Sequence, residues 1–126
     1  MSVLVYTENW DGKFKKLSFE LVSYASKVAE MLGTSVTVVS IGNVEDAELG
    51  KLGNYGASKI LKVEDEKLNI LDNQVYSNIL AQAVKAEDAK VIVIANNNAG
   101  KAIAPHISSD IKHGIFLFTI SIPSAS

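Results

Sequence analysis

Length, composition and charge place this chain among small globular domains. It has 126 residues, of which 48% are hydrophobic and 21% charged, and only two are proline. These values are typical of one domain with a substantial core. The net charge of −2 argues against nucleic-acid binding, because nucleic-acid-binding proteins usually carry a basic surface. The absence of cysteine excludes disulfides, thiol redox chemistry and cysteine-ligated metals.

The apolar segments are too short to span a membrane. The longest, residues 115–122, includes Thr119 and Ser121 and falls well below the ~18 residues that cross a bilayer. The start of the chain has neither the basic segment nor the long apolar core of a signal peptide. The sequence therefore predicts a cytoplasmic protein without membrane contact.

The first third of the chain predicts a strand, a helix and a second strand. Residues 3–8 are strand-like and residues 9–12 favour a turn. Apolar residues at helical spacing follow, and Gly33 is placed to end that helix. Residues 36–41 have the pattern of a buried strand. The apolar positions of the helix are Leu17, Leu21, Ala25, Val28, Ala29 and Leu32.

The middle third predicts two helices separated by a strand. Asn43 is the expected cap of a short helix with Glu45 and Asp46 in its first turn, where the helix dipole favours acidic side chains. We expect this helix to break up over three glycines, and residues 58–63 to form a polar strand near the edge of a sheet. Asp72 is the expected cap of the next helix. The glycines are Gly50, Gly53 and Gly56, and the core residues of the second helix are Val75, Ile79, Leu80, Ala83 and Val84.

The last third predicts the remaining strands and the fold class. Residues 91–95 are an uninterrupted apolar run, which is typical of a strand covered on both faces. Residues 102–112 favour a helix and residues 115–122 a fifth strand. Strands that alternate with helices predict an α/β fold of three layers, α/β/α, with a parallel five-stranded sheet. The predicted strand order is 3-2-1-4-5, a half-Rossmann arrangement with helices on both faces.

This strand order predicts a crevice between the first and fourth strands. Open α/β sheets bind ligands at the carboxyl ends of their strands, where the strand order reverses. Thr7 and Glu8 would lie on one side of this crevice and residues 96–101 on the other. Amides at a helix start and a lysine attract anions, yet the same residues are ordinary turn residues and match neither a P-loop nor a dinucleotide fingerprint. The candidate anion-binding residues are Asn97, Asn98, Gly100 and Lys101.

The remaining polar residues do not predict catalysis or metal binding. His106 and His113 would lie ~10 Å apart on one side of a helix, too far to share a metal even with Asp110 between them. The acidic residues at 45–48 and 64–66 are interpreted as a helix start and a turn in solvent. No serine, histidine and acid form a nucleophile motif. We therefore expect neither catalytic residues nor a metal site.

Four segments between residues 3 and 105 follow the pattern of one family. In that pattern the chain resembles the amino-terminal domain of the electron transfer flavoprotein alpha subunit. It departs from the family at His106, where an arginine is more common, and in its length, which is half that of such subunits or less. The segments are Leu-Val-Tyr-Thr-Glu at 4–8 with Asp-Gly-Lys at 11–13, Leu-Ser-Phe-Glu-Leu at 17–21 with Ala25, Leu-Gly-Asn-Tyr-Gly-Ala-Ser-Lys-Ile at 52–60, and residues 95–101 with Ala104-Pro105 after them.

The resemblance implies a part of an electron carrier. Residues 1–126 would be one amino-terminal domain with the adenine nucleotide alpha hydrolase-like version of the fold, and the domain that binds flavin would be absent. The complete protein would pair with a beta subunit and hold FAD. It would carry electrons from dehydrogenases, such as acyl-CoA dehydrogenases of fatty-acid oxidation, to an acceptor. No cofactor-binding residue of the family transfers to this chain, and the related beta subunit binds AMP.

One alternative is a stand-alone nucleotide-binding module similar to universal stress proteins. Those proteins have a glycine-spaced phosphate motif after the fourth strand, whereas this chain has Gly100 followed by Ala102 and Ala104. A separate expectation concerns residues 116–122, which form a β-prone window without charge. We expect this segment to be buried in the sheet or to mediate self-association.

Overall fold

The computed structural model describes residues 2–10, 12–42, 44–63, 73–95 and 116–120. Within these ranges the chain forms two sheets and three helices. In chain order the elements are β1 (Ser2–Thr7), β2 (Asn9–Trp10), β3 (Lys13–Phe14), α1 (Lys16–Leu32), β4 (Ser35–Ile41), α2 (Asp46–Gly53), β5 (Lys59–Val63), α3 (Asn73–Ala86), β6 (Ala89–Ala95) and β7 (Phe116–Ile120).

Five of the strands form one sheet in which every neighbouring pair is parallel. Their order is β5-β4-β1-β6-β7, which confirms the predicted order 3-2-1-4-5. β1 lies in the centre, so that Val3 is opposite Val36 on one side and Val91 on the other. All six residues of β1 are buried, as expected for a strand with helices on both faces.

The two faces of this sheet support separate hydrophobic cores. Val3 and Val5 belong to the core beneath α1 and α2, whereas Leu4 and Tyr6 belong to the core beneath α3. The chain moves from β1 to β4 to β5 in one direction, so right-handed crossovers place α1 and α2 on the same face. α3 brings the chain back across the sheet to β6 on the other face. We call these the α1/α2 face and the α3 face, and together they confirm the three-layer architecture.

Helix α1 ends where the sequence predicts. Gly33 adopts the left-handed conformation (φ 69°), and its amide donates to the Glu30 carbonyl at 3.2 Å. The Thr34 amide donates to the Ala29 carbonyl at 2.9 Å. This pair of hydrogen bonds is the Schellman motif, which satisfies carbonyls at a helix end and favours glycine at the left-handed position. Of the predicted apolar positions, Leu32 is 48% exposed and lies outside the core.

Two expectations about the first loops are wrong. Residues 9–12 do not form a simple turn, because Asn9 pairs with Phe14 and Trp10 with Lys13 in an antiparallel hairpin. Helix α2 begins at Asp46 with Glu45 as its N-cap residue, so Glu45 lies outside the first turn, and the predicted cap Asn43 lies outside the described residues. The physical reason is that the buried Val44 holds the chain extended up to Glu45.

The glycines of α2 do not end the helix early. Gly50 lies inside α2 and Gly53 is its last residue. The helix persists because Leu49 and Leu52 are buried against the α1/α2 face. Gly56 follows in a turn with φ of 114°, a conformation that favours glycine.

Helix α3 is present, but its buried face differs by one residue from the prediction. Val75 is 38% exposed, so its predicted core position is wrong, whereas Tyr76 is buried. Tyr76, Leu80 and Val84 follow a four-residue spacing that brings them onto one side of the helix. The predicted cap Asp72 lies outside the described residues.

The two outer strands are β5 and β7. The edge position predicted for the third strand is confirmed, because β5 pairs only with β4 among the described strands. β7 pairs with β6 in parallel, with Phe116 opposite Val91, and is the last described strand on its side. Residues 116–120 of the β-prone window therefore join the sheet and lie at its edge among the described strands. The helix predicted at residues 102–112 lies outside the described part of the chain.

Candidate functional site

The candidate site lies at the carboxyl ends of β1 and β4. Thr7 and Ser40 are opposite each other in the sheet, and both are fully buried on the α1/α2 face. The Thr7 hydroxyl donates to the Val39 carbonyl at 3.4 Å. The Ser40 hydroxyl has no hydrogen-bond partner among the described residues. Two neighbouring hydroxyls thus end the core on this side of the sheet, and one of them has no partner within the described ranges.

The hairpin of β2 and β3 is attached to β4 through Asn9. The Asn9 side-chain amide donates to the Ile41 carbonyl at 2.8 Å, and its oxygen accepts from the Gly12 amide at 3.3 Å. Gly42 permits this approach, because a Cβ atom there would lie 3.3 Å from the Asn9 nitrogen. One asparagine therefore fixes both the turn of the hairpin and its position over the end of β4.

The hairpin also contacts α2. The Phe14 amide donates to a carboxylate oxygen of Glu48 at 3.3 Å, and the Phe14 ring is buried in the core of the α1/α2 face. Lys51 donates to the same carboxylate at 3.0 Å. This hydrogen bond is the main cause that lowers the pKa of Glu48, and the Phe14 amide lowers it further. The hairpin is thus held by β4 and α2 together.

The start of α1 gives this end of the sheet a positive charge. The Ser18 hydroxyl donates to the Glu8 carbonyl at 3.0 Å, which fixes the helix start above the end of β1. No acidic residue occupies the first turn of α1, and no side chain caps it. Lys13, Lys15 and Lys16 are exposed near this helix start. Their charges add to the positive end of the helix dipole.

Only part of the predicted crevice is described. β1 and β6 are neighbours, which confirms that the strand order reverses between the first and fourth strands. Thr7 lies at this switch point, at the carboxyl end of β1. Asn97, Asn98, Gly100 and Lys101, which come after the end of β6, lie outside the described residues, as do His106, Asp110 and His113. Anion binding by that loop stays a prediction.

Several of the described acidic residues form ion pairs. Asp46 is paired with Lys62 at 3.4 Å and Glu48 with Lys51 at 3.0 Å. Within the ranges that the structure describes, no group of three histidine, aspartate or glutamate residues could hold a metal ion. The same ranges contain no helix that is long and apolar enough to cross a membrane.

A second surface is formed by aromatic residues on the outside of α1. The rings of Phe19 and Tyr55 stack with centroids 4.8 Å apart, and Phe14 meets Phe19 edge-on at 6.3 Å. Gly56 lies so close to Ser26 of α1 that a Cβ atom could not be accommodated. A shallow groove of about 500 Å³ runs beside these rings. Its lining residues are Lys16, Phe19, Glu20, Ser23, Tyr24, Lys27 and Tyr55.

Comparison with known proteins decides the family. Residues 3–124 match the electron transfer flavoprotein domain family. The chain belongs to this family. It is 26% identical over 113 residues to the acryloyl-CoA reductase electron transfer subunit beta of Anaerotignum propionicum, covering 90% of this chain and 31% of that protein. It is also 26% identical over 113 residues to the electron transfer flavoprotein subunit alpha of Clostridium acetobutylicum, covering 90% and 34%.

The electron transfer flavoprotein domain described here is therefore only part of a typical family member. The chain spans about a third of the length of these curated relatives. Among solved structures, a universal stress protein in complex with cAMP is similar in fold, with a TM-score of 0.61, 15% identity and 94% coverage of both chains. This likeness confirms the Rossmann-like architecture.

The segment at residues 52–60 packs against α1 and the core of the α1/α2 face. Its Tyr-Gly-Ala sequence places Tyr55 on Phe19, Gly56 on Ser26 and the half-buried Ala57 against the core. The sequence pattern alone did not predict the role of Asn9, because its decisive contact is with Ile41, 32 residues away. The only local signal was that asparagine and glycine flank a turn.

Proposed function

We propose that this chain is the amino-terminal domain of an electron transfer flavoprotein alpha subunit and that it acts as a scaffold that contacts a beta subunit. The match of residues 3–124 to the family carries this proposal. The chain spans about a third of the length of the relatives, and this length is consistent with a single domain over residues 1–126. The complete heterodimer would carry electrons through FAD from flavin dehydrogenases, such as acyl-CoA dehydrogenases, to an acceptor. The proposed location is cytoplasmic.

The described residues do not fit a flavin site. Thr7 and Ser40 are fully buried, and the hairpin held by Asn9 lies over the end of β4. Neither of these two buried hydroxyls is accessible to a flavin ring. We therefore assign FAD binding to parts of the complete protein outside this chain, and no catalytic residue is assigned here. The role of this domain is to bind and support its partner.

We place the contact with the beta subunit at the hairpin and the start of α1. This surface is held in one conformation by hydrogen bonds from Asn9, Phe14 and Ser18. A preorganised surface loses little conformational entropy when it binds. Its exposed lysines favour a beta-subunit surface that carries acidic side chains.

Co-expression with a candidate beta subunit tests the proposal. We expect the full chain to copurify with the beta subunit and to remain colourless when FAD is added to it alone. Lys13→Glu on the hairpin should weaken the complex about tenfold. Lys90→Glu, at the amino-terminal end of β6 and also exposed, is the control and should leave the complex unchanged.

Titration with ATP and AMP separates this proposal from a nucleotide-binding module. We expect no binding in the micromolar range, which would correspond to about −8 kcal/mol. Micromolar binding of either nucleotide by the chain alone, or a failure to copurify with any beta subunit, would contradict the proposed function.

A further inference from the structure

The outward side of α1 carries an unusual mixture of charged and apolar residues. Tyr24 is 40% exposed and Met31 is 85% exposed, although both lie among charged residues that face the solvent. The groove described above runs along the same side of the helix. Six residues at spacings of three and four positions define this surface, which we call the outer stripe: Lys16, Glu20, Ser23, Tyr24, Lys27 and Met31.

The outer stripe is self-complementary when two copies of α1 lie antiparallel. An antiparallel second helix, related by a two-fold axis between positions 23 and 24, would place Glu20 opposite Lys27 of the other copy. Because the two copies are related by a two-fold axis, Glu20 of each copy faces Lys27 of the other, and the contact occurs twice. The small Ser23 would face the large Tyr24.

The ends of the stripe are complementary as well. Lys16 would face Met31, whose apolar side chain suits the aliphatic part of a lysine.

The charged groups of Lys27 and Glu20 can form ion pairs with a second molecule. Lys27 makes no ion pair with any residue of the described ranges. Glu20 is paired with Lys16 at 3.7 Å, but the lysine side chain is 72% exposed. Exposed ion pairs of this kind contribute little. Glu20 can therefore exchange this partner for a lysine on another molecule at small cost.

We propose that the outer stripe binds a second copy of this chain, with the two α1 helices antiparallel. A partner of one charge sign fits less well, because an acidic segment attracted by Lys27 would also meet Glu20. α1 has 17 residues and is about 25 Å long. One helix pair of this length buries less than the ~1,200 Å² of a standard stable interface, so we expect a weak dimer that forms only at high protein concentration. The proposal does not rest on the proposed function.

Charge reversal tests this contact directly. Sedimentation equilibrium of the full chain between about 10 µM and 1 mM should show a monomer–dimer equilibrium. Glu20→Lys and Lys27→Glu should each weaken the dimer about tenfold, because each turns two attractive contacts into two repulsive ones. The double variant restores both pairs with reversed sign and should recover dimerisation to within about threefold of the original.

Controls make each outcome decisive. Lys85→Glu on α3, exposed on the other face of the sheet, should leave the equilibrium unchanged. Circular dichroism confirms that each variant is folded. A monomer throughout this range, single variants without effect, or a double variant without recovery would each overturn the proposal. A loss with Lys27→Glu but not with Glu20→Lys would also overturn it, because the two-fold contact needs both residues. Binding of a beta subunit is measured separately, so its failure does not affect this test.

Discussion

The last two residues of β1 point to opposite faces of the sheet, and the two faces end differently. On the α3 face, Tyr6 meets Tyr76 edge-on with ring centroids 6.3 Å apart. On the α1/α2 face, Thr7 and Ser40 end the core with hydroxyl groups. At the carboxyl end of the sheet, the α3 face is therefore covered by aromatic rings, whereas the α1/α2 face carries hydroxyl groups. The hairpin and the start of α1 lie on the polar side, which is where the candidate site is placed.

The helices also pack on the two faces in different ways. The α1/α2 face includes a close backbone approach, with Gly56 against Ser26, and small buried residues such as Ala25. The α3 face depends on larger side chains, including Leu80 and Ile92. Substitutions that create a cavity should therefore be most harmful beneath α3, and substitutions that add volume should be most harmful beside α1.

The largest expected effect is the loss of a large side chain beneath α3. Leu80→Ala should lower the free energy of unfolding by about 3 to 5 kcal/mol, because Leu80 is fully buried in the middle of a helix that cannot move into the cavity. Leu52→Ala, equally buried on the other face, is the matched variant. It lies in the last turn of α2, where the chain can partly collapse, so about 2 to 3 kcal/mol is expected. Urea unfolding that gave the reverse order would refute this difference.

Added volume beside α1 should have the next largest effect. In Gly56→Ala the new methyl group would collide with the Ser26 side chain, and φ of 114° is unfavourable for alanine. We expect a loss of about 2 to 4 kcal/mol of unfolding free energy. Gly53→Ala is the control, because nothing lies within 4 Å of its Cβ position in α2. It should stabilise the protein by about 0.5 kcal/mol. Equal effects of the two substitutions would argue against close packing at Gly56.

The pattern of the sequence predicted the sheet well because its strands are buried on both faces. Uninterrupted apolar runs such as residues 91–95 are typical of a central strand. The alternation of strands and helices then restricts the possible strand orders. The end of α1 at Gly33 was predictable for a similar local reason. These features depend on short stretches of sequence and on general rules of chain connection.

The prediction errors arose where contacts between residues distant in sequence determine the local structure. Residues 9–14 form two strands of only two residues each, too short for a periodic signal, and their position depends on the bond from Asn9 to Ile41. Tyr76 rather than Val75 is buried because the Tyr76 ring packs against Tyr6 on the α3 face. Thr7 was correctly predicted at the switch point, but the sequence did not predict that the Ser40 hydroxyl lacks a partner among the described residues. A serine in an apolar strand gives no sign of its hydrogen-bond partners.

The tyrosines of the α3 face predict a dependence of stability on alkaline pH. Burial is the main cause that raises the pKa of Tyr6 far above its usual value, and it also raises the pKa of Tyr76. In the unfolded chain these groups ionise near pH 10, while the folded protein retains the proton. The stability that depends on the neutral Tyr6 is therefore fully present below pH 10 and is lost as the pH rises above it, by about 1.4 kcal/mol per pH unit. Tyr76 adds to this loss in the same direction.

Removing each hydroxyl tests this dependence. Tyr6→Phe should remove the larger part of the alkaline slope and Tyr76→Phe a smaller part, because the pKa of Tyr6 is shifted more. The measurement is urea unfolding at several pH values between 8 and 11. An alkaline slope that stayed the same in both variants would show that the rings do not exclude solvent from the α3 face.

The smallest expected effect tests the polar end of the α1/α2 face. Ser40→Ala removes a buried hydroxyl that has no hydrogen-bond partner in the described ranges, so it should stabilise the protein by about 1 kcal/mol. Thr7→Val is the matched control, since it removes a neighbouring hydroxyl that donates to the Val39 carbonyl and should destabilise by about 0.5 to 1 kcal/mol. Thermal and urea unfolding measure both. Destabilisation by Ser40→Ala would mean that the serine hydroxyl is satisfied by groups beyond the described residues, and the polar end would then be part of a larger hydrogen-bonded network.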